Sequence, residues 1–115
     1  MSLERIVRNL EALGLSRMES EVYIYLAKAG PSKAKELGTG LRMPKQQLYQ
    51  ALRGLKDKGI VVSRPEQVRL FSAIAFEELL NLFMKISAEK AKAVKEAKKD
   101  LVESWTDLTE QDKDS

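Results

Sequence analysis

One stretch near the C-terminal end limits the possible folds of this chain more than any other feature. From Phe76 to about Thr106 the sequence contains neither glycine nor proline, and alanine, lysine, glutamate and leucine dominate it. These residue types favour a helix, and a helix of about 30 residues is about 45 Å long. We therefore predict a long helix over 76–108, preceded by one compact domain over 1–75 and followed by a disordered tail over 109–115.

Apolar residues recur along this long helix at spacings of three to five residues. Because an isolated helix is only marginally stable in water, such an apolar stripe needs a partner. We predict that it pairs two copies of the chain into a homodimer. The predicted interface residues are Phe83, Val94, Ala97, Leu101 and Trp105. The stripe resembles a coiled-coil seam only loosely, because Ser87 and Lys90 interrupt it. The alternative is that the helix folds back onto its own domain.

The first part of the chain is divided by glycine and proline into short helical segments. Apolar residues at helical spacing predict a helix over 3–13 and a second helix over about 17–29. Ser16 and Glu19 have the spacing of a capping box, in which each side chain binds the other residue's free backbone N–H. Gly30, which is followed by a proline, ends the second helix.

A short third helix and a longer fourth helix follow. The third covers 32–39 with Ser32 as its N-cap, and Gly40 marks a tight turn. The fourth starts at Pro44, whose missing N–H costs nothing in the first turn, and runs to about Lys58. Two helices joined by a brief turn are typical of a helix-turn-helix motif.

The periodicity then changes from helical to alternating. β-branched residues at 60–62 and alternation through 68–72 predict two short strands, with Pro65 in the loop between them. A two-stranded ribbon directly after a helix-turn-helix is a wing. We therefore predict a mainly α fold with a small β-wing over 60–73, which is a winged helix-turn-helix with a long C-terminal dimerisation helix.

Composition excludes several classes of function. The 115 residues contain no cysteine and no histidine, so imidazole or thiolate catalysis, disulfides and Cys/His zinc sites are excluded. The acidic residues fall mostly on helix surfaces, so we expect no enzyme, no metal and no cofactor. No apolar run approaches the ~20 residues that span a bilayer, and no signal peptide precedes the first helix. The sequence therefore predicts a cytoplasmic protein without a membrane partner.

Positive charge is concentrated in the middle of the chain. The net charge is +3, but residues 31–69 contain nine Lys or Arg against three Asp or Glu. A basic block beside a neutral-to-acidic C-terminal part indicates a surface that faces a polyanion. Because the block coincides with the predicted helix-turn-helix, double-stranded DNA is the expected partner.

A set of short motifs spans the helical part and the wing. They are Leu13-Gly14-Leu15-Ser16, the segment from Glu19 to Tyr23, Gly30-Pro31, Ala34-Lys35-Glu36, Tyr49, and Leu55 through Val61. This pattern, over residues 10–80, resembles the N-terminal domain of TrmB-type archaeal transcription regulators and, more distantly, MarR-like winged-helix proteins. The resemblance implies DNA binding, with the N-terminal half of the fourth helix in the major groove.

The sequence departs from this family pattern in two respects. Full-length members carry a large C-terminal sugar-binding domain, whereas this sequence ends after the long helix, so the resemblance does not extend to a sugar response. Met43-Pro44 also stands at the start of the fourth helix, where a Ser or Thr cap is commoner. That change alters the phosphate contact expected at this end of the helix.

The outward face of the fourth helix carries long polar side chains. Glutamine can bind adenine, and arginine can bind guanine, through bidentate hydrogen bonds in the major groove. The predicted base contacts are Gln46, Gln47, Gln50 and Arg53. Phosphate contacts set register but carry no direct sequence information. The predicted phosphate contacts are Lys33, Lys35, Arg42 and Lys45. Lys45 and Arg53 could each reach either target. The predicted wing residues, which could reach the backbone or the minor groove, are Arg64, Gln67 and Arg69.

Simpler interpretations compete with each of these assignments. Exposed glutamine and lysine on a helix are usually only solvated, and it is the winged-helix order with its basic block that favours DNA contact here. Tyr23 and Tyr49 lie beside core positions, so packing is favoured over base stacking, whereas Tyr25 is placed at the surface. Gly54 avoids bulk beside the polar face, and a close contact between helices would explain it equally.

These observations together predict a sequence-specific transcription regulator that binds double-stranded DNA as a homodimer. The recognition helix over 44–58 enters the major groove, and the wing contacts the backbone or the minor groove. Two such helices about one turn apart, roughly 34 Å, require a palindromic site. Two alternatives stay open: a winged-helix module for protein–protein assembly, and a sequence-tolerant chromatin-type DNA binder.

Overall fold

The computed structural model describes residues 3–64 and 69–113. The chain consists of two compact units, Met1–Leu79 and Leu80–Ser115. The helices and strands in chain order are α1 (Leu3–Ala12), α2 (Arg17–Ala29), β1 (Ser32–Lys33), α3 (Ala34–Leu41), α4 (Lys45–Asp57), β2 (Val61–Arg64), β3 (Leu70–Ala73) and α5 (Phe76–Lys113). The described residues are mainly helical with one small antiparallel sheet. The predicted winged helix-turn-helix fold is therefore confirmed.

The core of the first unit draws apolar side chains from its four short helices, from the sheet and from the start of α5. Its almost fully covered members include Leu10, Val22, Tyr23, Leu26, Leu37, Leu52, Leu55, Ile60, Val61, Phe71 and Leu79. Helices as short as α3 and α4 are unstable alone in water, so this packing holds them in place.

The sheet has three strands where the sequence predicts two. β3 lies in the middle and pairs with β2, with Arg64 opposite Leu70, and with β1, where Ser32 stands opposite Phe71. β1 has only two residues, too few to show the alternation of polar and apolar residues that reveals a strand. Part of the predicted wing, 65–68, lies outside the described residues.

The prediction of Ser32 as the N-cap of α3 is wrong. Ser32 is buried in β1, and its hydroxyl donates a hydrogen bond to the carbonyl of Gly30 at 2.9 Å. Lys33 is the N-cap residue, and its backbone N–H donates to Glu36 Oε1 at 3.1 Å. The carboxylate from the first turn of α3 therefore binds the N–H of the N-cap residue, which is the Glu half of a capping box.

The turn between α3 and α4 falls later than predicted. Gly40 lies inside α3, and the left-handed residue is Arg42, with φ 52° and ψ 42°. Met43 supports this turn by donating its N–H to the carbonyl of Gly38 at 3.1 Å. Gly40 is needed for a different reason, because an added Cβ would meet the Tyr25 hydroxyl and stand 2.6 Å from its Cζ. Tyr25, predicted at the surface, is thus half-buried against this glycine.

Glu19 joins the start of α2 to the end of α4. The predicted capping box is present: the Glu19 N–H donates to Ser16 Oγ at 3.1 Å, and the Ser16 N–H donates to Glu19 Oε1 at 2.8 Å. Lys58 Nζ donates to the second carboxylate oxygen at 2.9 Å. Burial on its own raises the pKa of the Glu19 carboxyl, but the hydrogen bonds from Ser16 and Lys58 outweigh it and hold this pKa below its usual value.

Gly54 allows α4 to approach the Glu19 carboxylate. A Cβ added at Gly54 would meet Glu19 Oε2 and stand 3.2 Å from Glu19 Cδ. Of the two interpretations that the sequence left open, the structure therefore supports the close contact between helices.

Tyr23 ties α2 to the junction between the sheet and α5. Its side chain is buried, and its hydroxyl donates to the carbonyl of Ile74 at 2.7 Å. Burial, and then the negative charge of Glu78, raise the pKa of the phenol. Packing is thus the role of Tyr23, as the sequence predicts.

α5 is longer than its predicted span of 76–108. It begins at Phe76 and continues to Lys113, so residues 109–113, predicted to be part of a disordered tail, are helical. The sequence offers no glycine or proline after Phe76 that would end the helix earlier. The division into domains at residues 75 and 76 stays a prediction.

We expect Gly54→Ala to destabilise the first unit, although alanine favours helices. The new methyl group displaces the Glu19 carboxylate and disturbs its hydrogen bonds with Ser16 and Lys58. The free energy of unfolding should fall by about 1–3 kcal/mol, the usual cost of overpacking. Urea denaturation followed by circular dichroism measures this change.

Gly38→Ala is the matched control, because Gly38 also lies inside a helix. Its added Cβ would make ordinary contacts, at 3.6 Å from Leu48 Cδ2 and from the Met43 carbonyl oxygen. This variant should keep the stability of the wild type or raise it by up to about 1 kcal/mol. Equal stabilities for the two variants would contradict the role assigned to Gly54.

Candidate nucleic-acid interface

α4 buries one face and exposes the opposite one. Leu48, Leu52 and Leu55 are buried, as the sequence predicts. All four predicted base-contact residues are exposed: Gln46, Gln47, Gln50 and Arg53. The helical period puts Gln47 on the flank that faces α2 and directs the other three away from the core. α4 therefore presents long polar side chains at the surface of the first unit.

The first turn of α4 has no side-chain cap. Pro44 is the N-cap residue rather than part of the first turn as predicted, and it forms no capping hydrogen bond. The backbone ladder begins with the Leu48 N–H, which donates to the Pro44 carbonyl at 2.9 Å. Because a helix start carries partial positive charge and N–H groups without helical partners, it favours an anion such as phosphate.

The four predicted phosphate contacts lie at the edges of the helix-turn-helix. They are Lys33, Lys35, Arg42 and Lys45, and all four are exposed. None of them forms an ion pair with another residue in the described ranges 3–64 and 69–113. Their charges are therefore available to a ligand.

Other cations of the first unit are paired, among them Arg8, Arg17 and Lys58. Arg17 donates to both carboxylate oxygens of Glu4 at 3.0 Å and to Glu21 at 3.1 Å. The hydrogen bond from Arg17 holds the pKa of the Glu4 carboxyl below its usual value. Lys58 pairs with Glu19 at 2.9 Å, and Arg8 pairs with Glu4 at 3.8 Å. Arg17 on the side of α1 and α2 is thus engaged within the protein.

The wing residues are only partly described. Arg64 and Arg69 are both exposed. Because Arg64 stands opposite Leu70 in the register of β2 and β3, the two arginines lie at the same end of these strands. Gln67, the third predicted wing residue, lies outside the described residues.

Shallow clefts flank α4 on both sides. On the side of α2, Gln47 and Gln50 share a cleft with Ser16, Arg17 and Met18. On the opposite side, Tyr49 is shared by two clefts. The polar residues that accompany it in the first cleft, between α3 and the start of α4, are Lys35, Thr39 and Lys45. Those in the second cleft, between the end of α4 and β3, are Arg53, Lys56, Asp57 and Arg69.

Sequence reasoning missed Tyr49 and Lys56 as surface residues of this region. Tyr49 is next to the core residue Leu48, so packing was the favoured interpretation, yet 40% of Tyr49 is exposed. The spacing contained the signal. Tyr49 follows Lys45 by four residues and precedes Arg53 by four residues, which puts all three side chains on one stripe of the helix.

The predicted dimer residues lie on the second unit. Phe83 and Ala97 are half-buried, whereas Val94 is 61% exposed, Leu101 57% and Trp105 65%. Such large apolar side chains are rarely left in water along one helix. The dimer interface itself stays a prediction.

Within the described parts of the chain, no three acidic or other metal-ligating side chains come together in a group that could hold a metal ion. Among the same residues, no helix combines the length and the apolar character needed to cross a membrane.

Known proteins are similar to this chain in sequence and in fold. The family described as "Sugar-specific transcriptional regulator TrmB" matches residues 10–77, which is more than half of the 115 residues. The DNA-binding HTH-type transcriptional repressor TrmBL2 of Thermococcus kodakarensis is 30% identical over 115 residues, and the alignment covers 96% of this chain. The chain spans 44% of the length of that relative.

Solved structures show the same architecture. A structure of TrmBL2, described as an archaeal chromatin protein with a novel mode of DNA binding, superposes with a TM-score of 0.80 at 27% identity over 93% of this chain and 42% of the other. A MarR family transcription regulator shares the fold with a TM-score of 0.58 at 14% identity over 93% of this chain and 82% of the other. The family pattern extends over the helix-turn-helix and the sheet, and this chain belongs to the TrmB family of transcriptional regulators.

Proposed function

We propose that this chain is a transcription regulator that binds double-stranded DNA as a homodimer, with α4 in the major groove. The exposed face of α4 carries the proposal. This face contains three glutamines and an arginine, and the helix that bears it has no side-chain cap at its start. Four exposed cations lie beside it, and none of them forms an ion pair with an acidic residue in the described parts of the chain. The similarity to TrmBL2, a DNA-binding transcriptional repressor whose solved structure is described as that of a chromatin protein with a novel mode of DNA binding, supports it.

The glutamines of α4 read the bases in this proposal. Gln46, Gln47 and Gln50 are exposed in the first two turns, the part of a recognition helix that reaches base edges. Each can form two hydrogen bonds with adenine N6 and N7. Arg53, one turn further along, reaches a guanine edge or the backbone.

The surrounding cations hold the phosphates. Lys33, Lys35, Arg42 and Lys45 are exposed and lose no internal ion pair when they bind an anion. Arg64 and Arg69 extend this charge to the wing. Neutralised phosphates release counterions, so the affinity should fall steeply as salt rises.

The dimer rests on the apolar stripe of α5. At 100° per residue, Val94, Leu101 and Trp105 lie on one side of this helix, together with Phe83 and Ala97. A helix with such a stripe gains stability by burying it against another apolar surface. A two-fold pair of chains offers an identical stripe and matches a palindromic site with half-sites about one turn apart, roughly 34 Å.

A second candidate function is sequence-tolerant DNA binding of the chromatin type. The description of the related solved structure as a chromatin protein favours it. Such a protein uses the same phosphate contacts but reads no bases. A third function, a winged-helix module for protein–protein assembly, does not account for the cations at the helix-turn-helix.

We expect Gln50→Ala and Lys33→Ala to affect DNA binding in different ways. Gln50→Ala should relax base preference, because one bidentate contact discriminates between bases by about 1–3 kcal/mol. Lys33→Ala should weaken binding to all duplexes alike and reduce the salt slope by about one. Titration of labelled duplexes of different sequence at two salt concentrations measures both effects.

Lys28→Ala is the control for lost charge, because Lys28 is an exposed lysine of α2 outside the candidate interface. This variant should bind DNA as the wild type does. Absence of duplex binding by the wild type at low salt would contradict the DNA-binding proposal. Equal affinity for all duplexes would favour the chromatin-type function.

We also expect Leu101→Asp to convert the dimer into monomers, because it puts a charge into the centre of the apolar stripe. Val102→Asp is the matched control: Val102 is 53% exposed, similar to Leu101 at 57%, but it lies about 100° away around the helix. Sedimentation equilibrium should show monomers for the first variant and dimers for the second. Equal behaviour of the two variants would contradict the proposed stripe.

A further inference from the structure

A basic and aromatic stripe runs along the flank of α4 that faces the wing. We call it the wing-side strip and define it as Lys45, Tyr49, Arg53 and Lys56 of α4 with Lys35 of α3 and Arg69 before β3. The four residues of α4 follow each other at spacings of four, four and three, which aligns them along the helix. The glutamines that read bases in the proposed function lie beside this stripe.

Tyr49 is the centre of the wing-side strip. It lines both clefts on this flank, one with Lys35 and Lys45 and the other with Arg53, Lys56 and Arg69. Tyr49 as a residue is 40% exposed, so part of it reaches solvent while more than half is covered by the protein. A phenol in this setting offers an apolar edge and a hydrogen-bond donor side by side.

The charge of the wing-side strip is largely uncompensated. Within the described ranges, none of its five cations forms an ion pair. Asp57 is the one acidic residue that lines either cleft among the described residues. Positive charge on both sides of a partly exposed tyrosine matches a ligand with anions at regular intervals and an apolar part between them.

We propose that the wing-side strip holds the sugar–phosphate backbone of one strand of duplex DNA, with Tyr49 against a deoxyribose and a cation cleft on either side for a phosphate. Lys35 and Lys45 bind one phosphate, and Arg53, Lys56 and Arg69 bind the next part of the backbone. The Tyr49 hydroxyl donates a hydrogen bond to a phosphate oxygen. This proposal rests on the proposed DNA-binding function and assigns Arg53 to the backbone.

Stacking of a single-stranded base on Tyr49 is disfavoured because the residue is only partly exposed. A base stacks on an open aromatic face, but more than half of Tyr49 is covered. A duplex keeps its bases stacked inside and presents sugar and phosphate outward, which fits a tyrosine that is only partly exposed. Because backbone contacts carry no direct sequence information, Tyr49 should contribute to affinity equally on every duplex.

The test compares Tyr49→Ala, Tyr49→Phe and Lys56→Ala in the full chain on two duplexes of different sequence and on a single strand. A hydrogen bond to a charged group is worth about 1.5–3 kcal/mol, so Tyr49→Ala should weaken binding to both duplexes by about tenfold or more. Tyr49→Phe loses the same hydrogen bond but keeps the contact of the ring with the deoxyribose, so it should also weaken binding to both duplexes, by less than Tyr49→Ala. Lys56→Ala should reduce the salt slope by about one.

Leu13→Ala is the matched control, because Leu13 is an apolar residue of the same unit with a similar exposed fraction of 44%. It should leave DNA binding unchanged, and circular dichroism should show all variants folded. Wild-type affinity for Tyr49→Ala, a loss restricted to one duplex sequence, or a loss seen on the single strand alone would each overturn the wing-side strip. Failure of the wild type to bind any duplex would instead overturn the proposed function.

Discussion

The contact of the Glu19 carboxylate with Gly54 and Lys58 fixes the helix on which the candidate interface is built. Glu19 is only 7% exposed. One of its carboxylate oxygens accepts a hydrogen bond from the Ser16 N–H at the start of α2, and the other accepts one from Lys58 Nζ at the end of α4. If either donor is lost, the buried Glu19 carboxylate keeps a charge that is no longer compensated. The contacts with Ser16 and Lys58 therefore depend on each other. Because a Cβ at position 54 would collide with the carboxylate, only glycine allows α4 to lie at this distance from α2. The outward direction of the polar face of α4 follows from this packing.

The cations around the exposed face of α4 differ from Arg17 of α2 in whether they form ion pairs within the protein. Arg17, at the start of α2, is engaged by Glu4 and Glu21, and an engaged cation must give up those contacts before it binds phosphate. Apart from Lys58, the exposed cations of α3, α4 and the strand ends have no such partners among the described residues. In the proposed function, long-range attraction to DNA therefore comes from the helix-turn-helix and the wing, the elements proposed to reach the grooves. Because the same fold occurs in proteins of different specificity, function has to be inferred from the side chains of this face and not from the fold.

Much of this arrangement could be predicted from sequence wherever a local pattern contains the information. The capping box of Ser16 and Glu19 and the exposed glutamines of α4 needed only residue type and helical period. β1 could not be predicted, because a strand of two residues exists only through its pairing with the distant β3. Tyr49 lies at the margin of the buried face of α4, where the helical period alone does not decide between core and surface. The reason for Gly40 was equally hidden, since it depends on the ring of Tyr25 from another helix.

Selection of bound sequences from a random duplex pool tests the central claim most directly, because one experiment reports binding, base preference and half-site spacing together. If α4 reads bases in the major groove and α5 pairs two chains, the wild type should enrich an inverted repeat with half-sites about one helical turn apart, roughly 34 Å. The Gln50→Ala variant, selected in parallel, should lose preference within each half-site while the spacing persists. A bound pool with no sequence enrichment, or an enriched single half-site without a symmetric partner, would contradict the account.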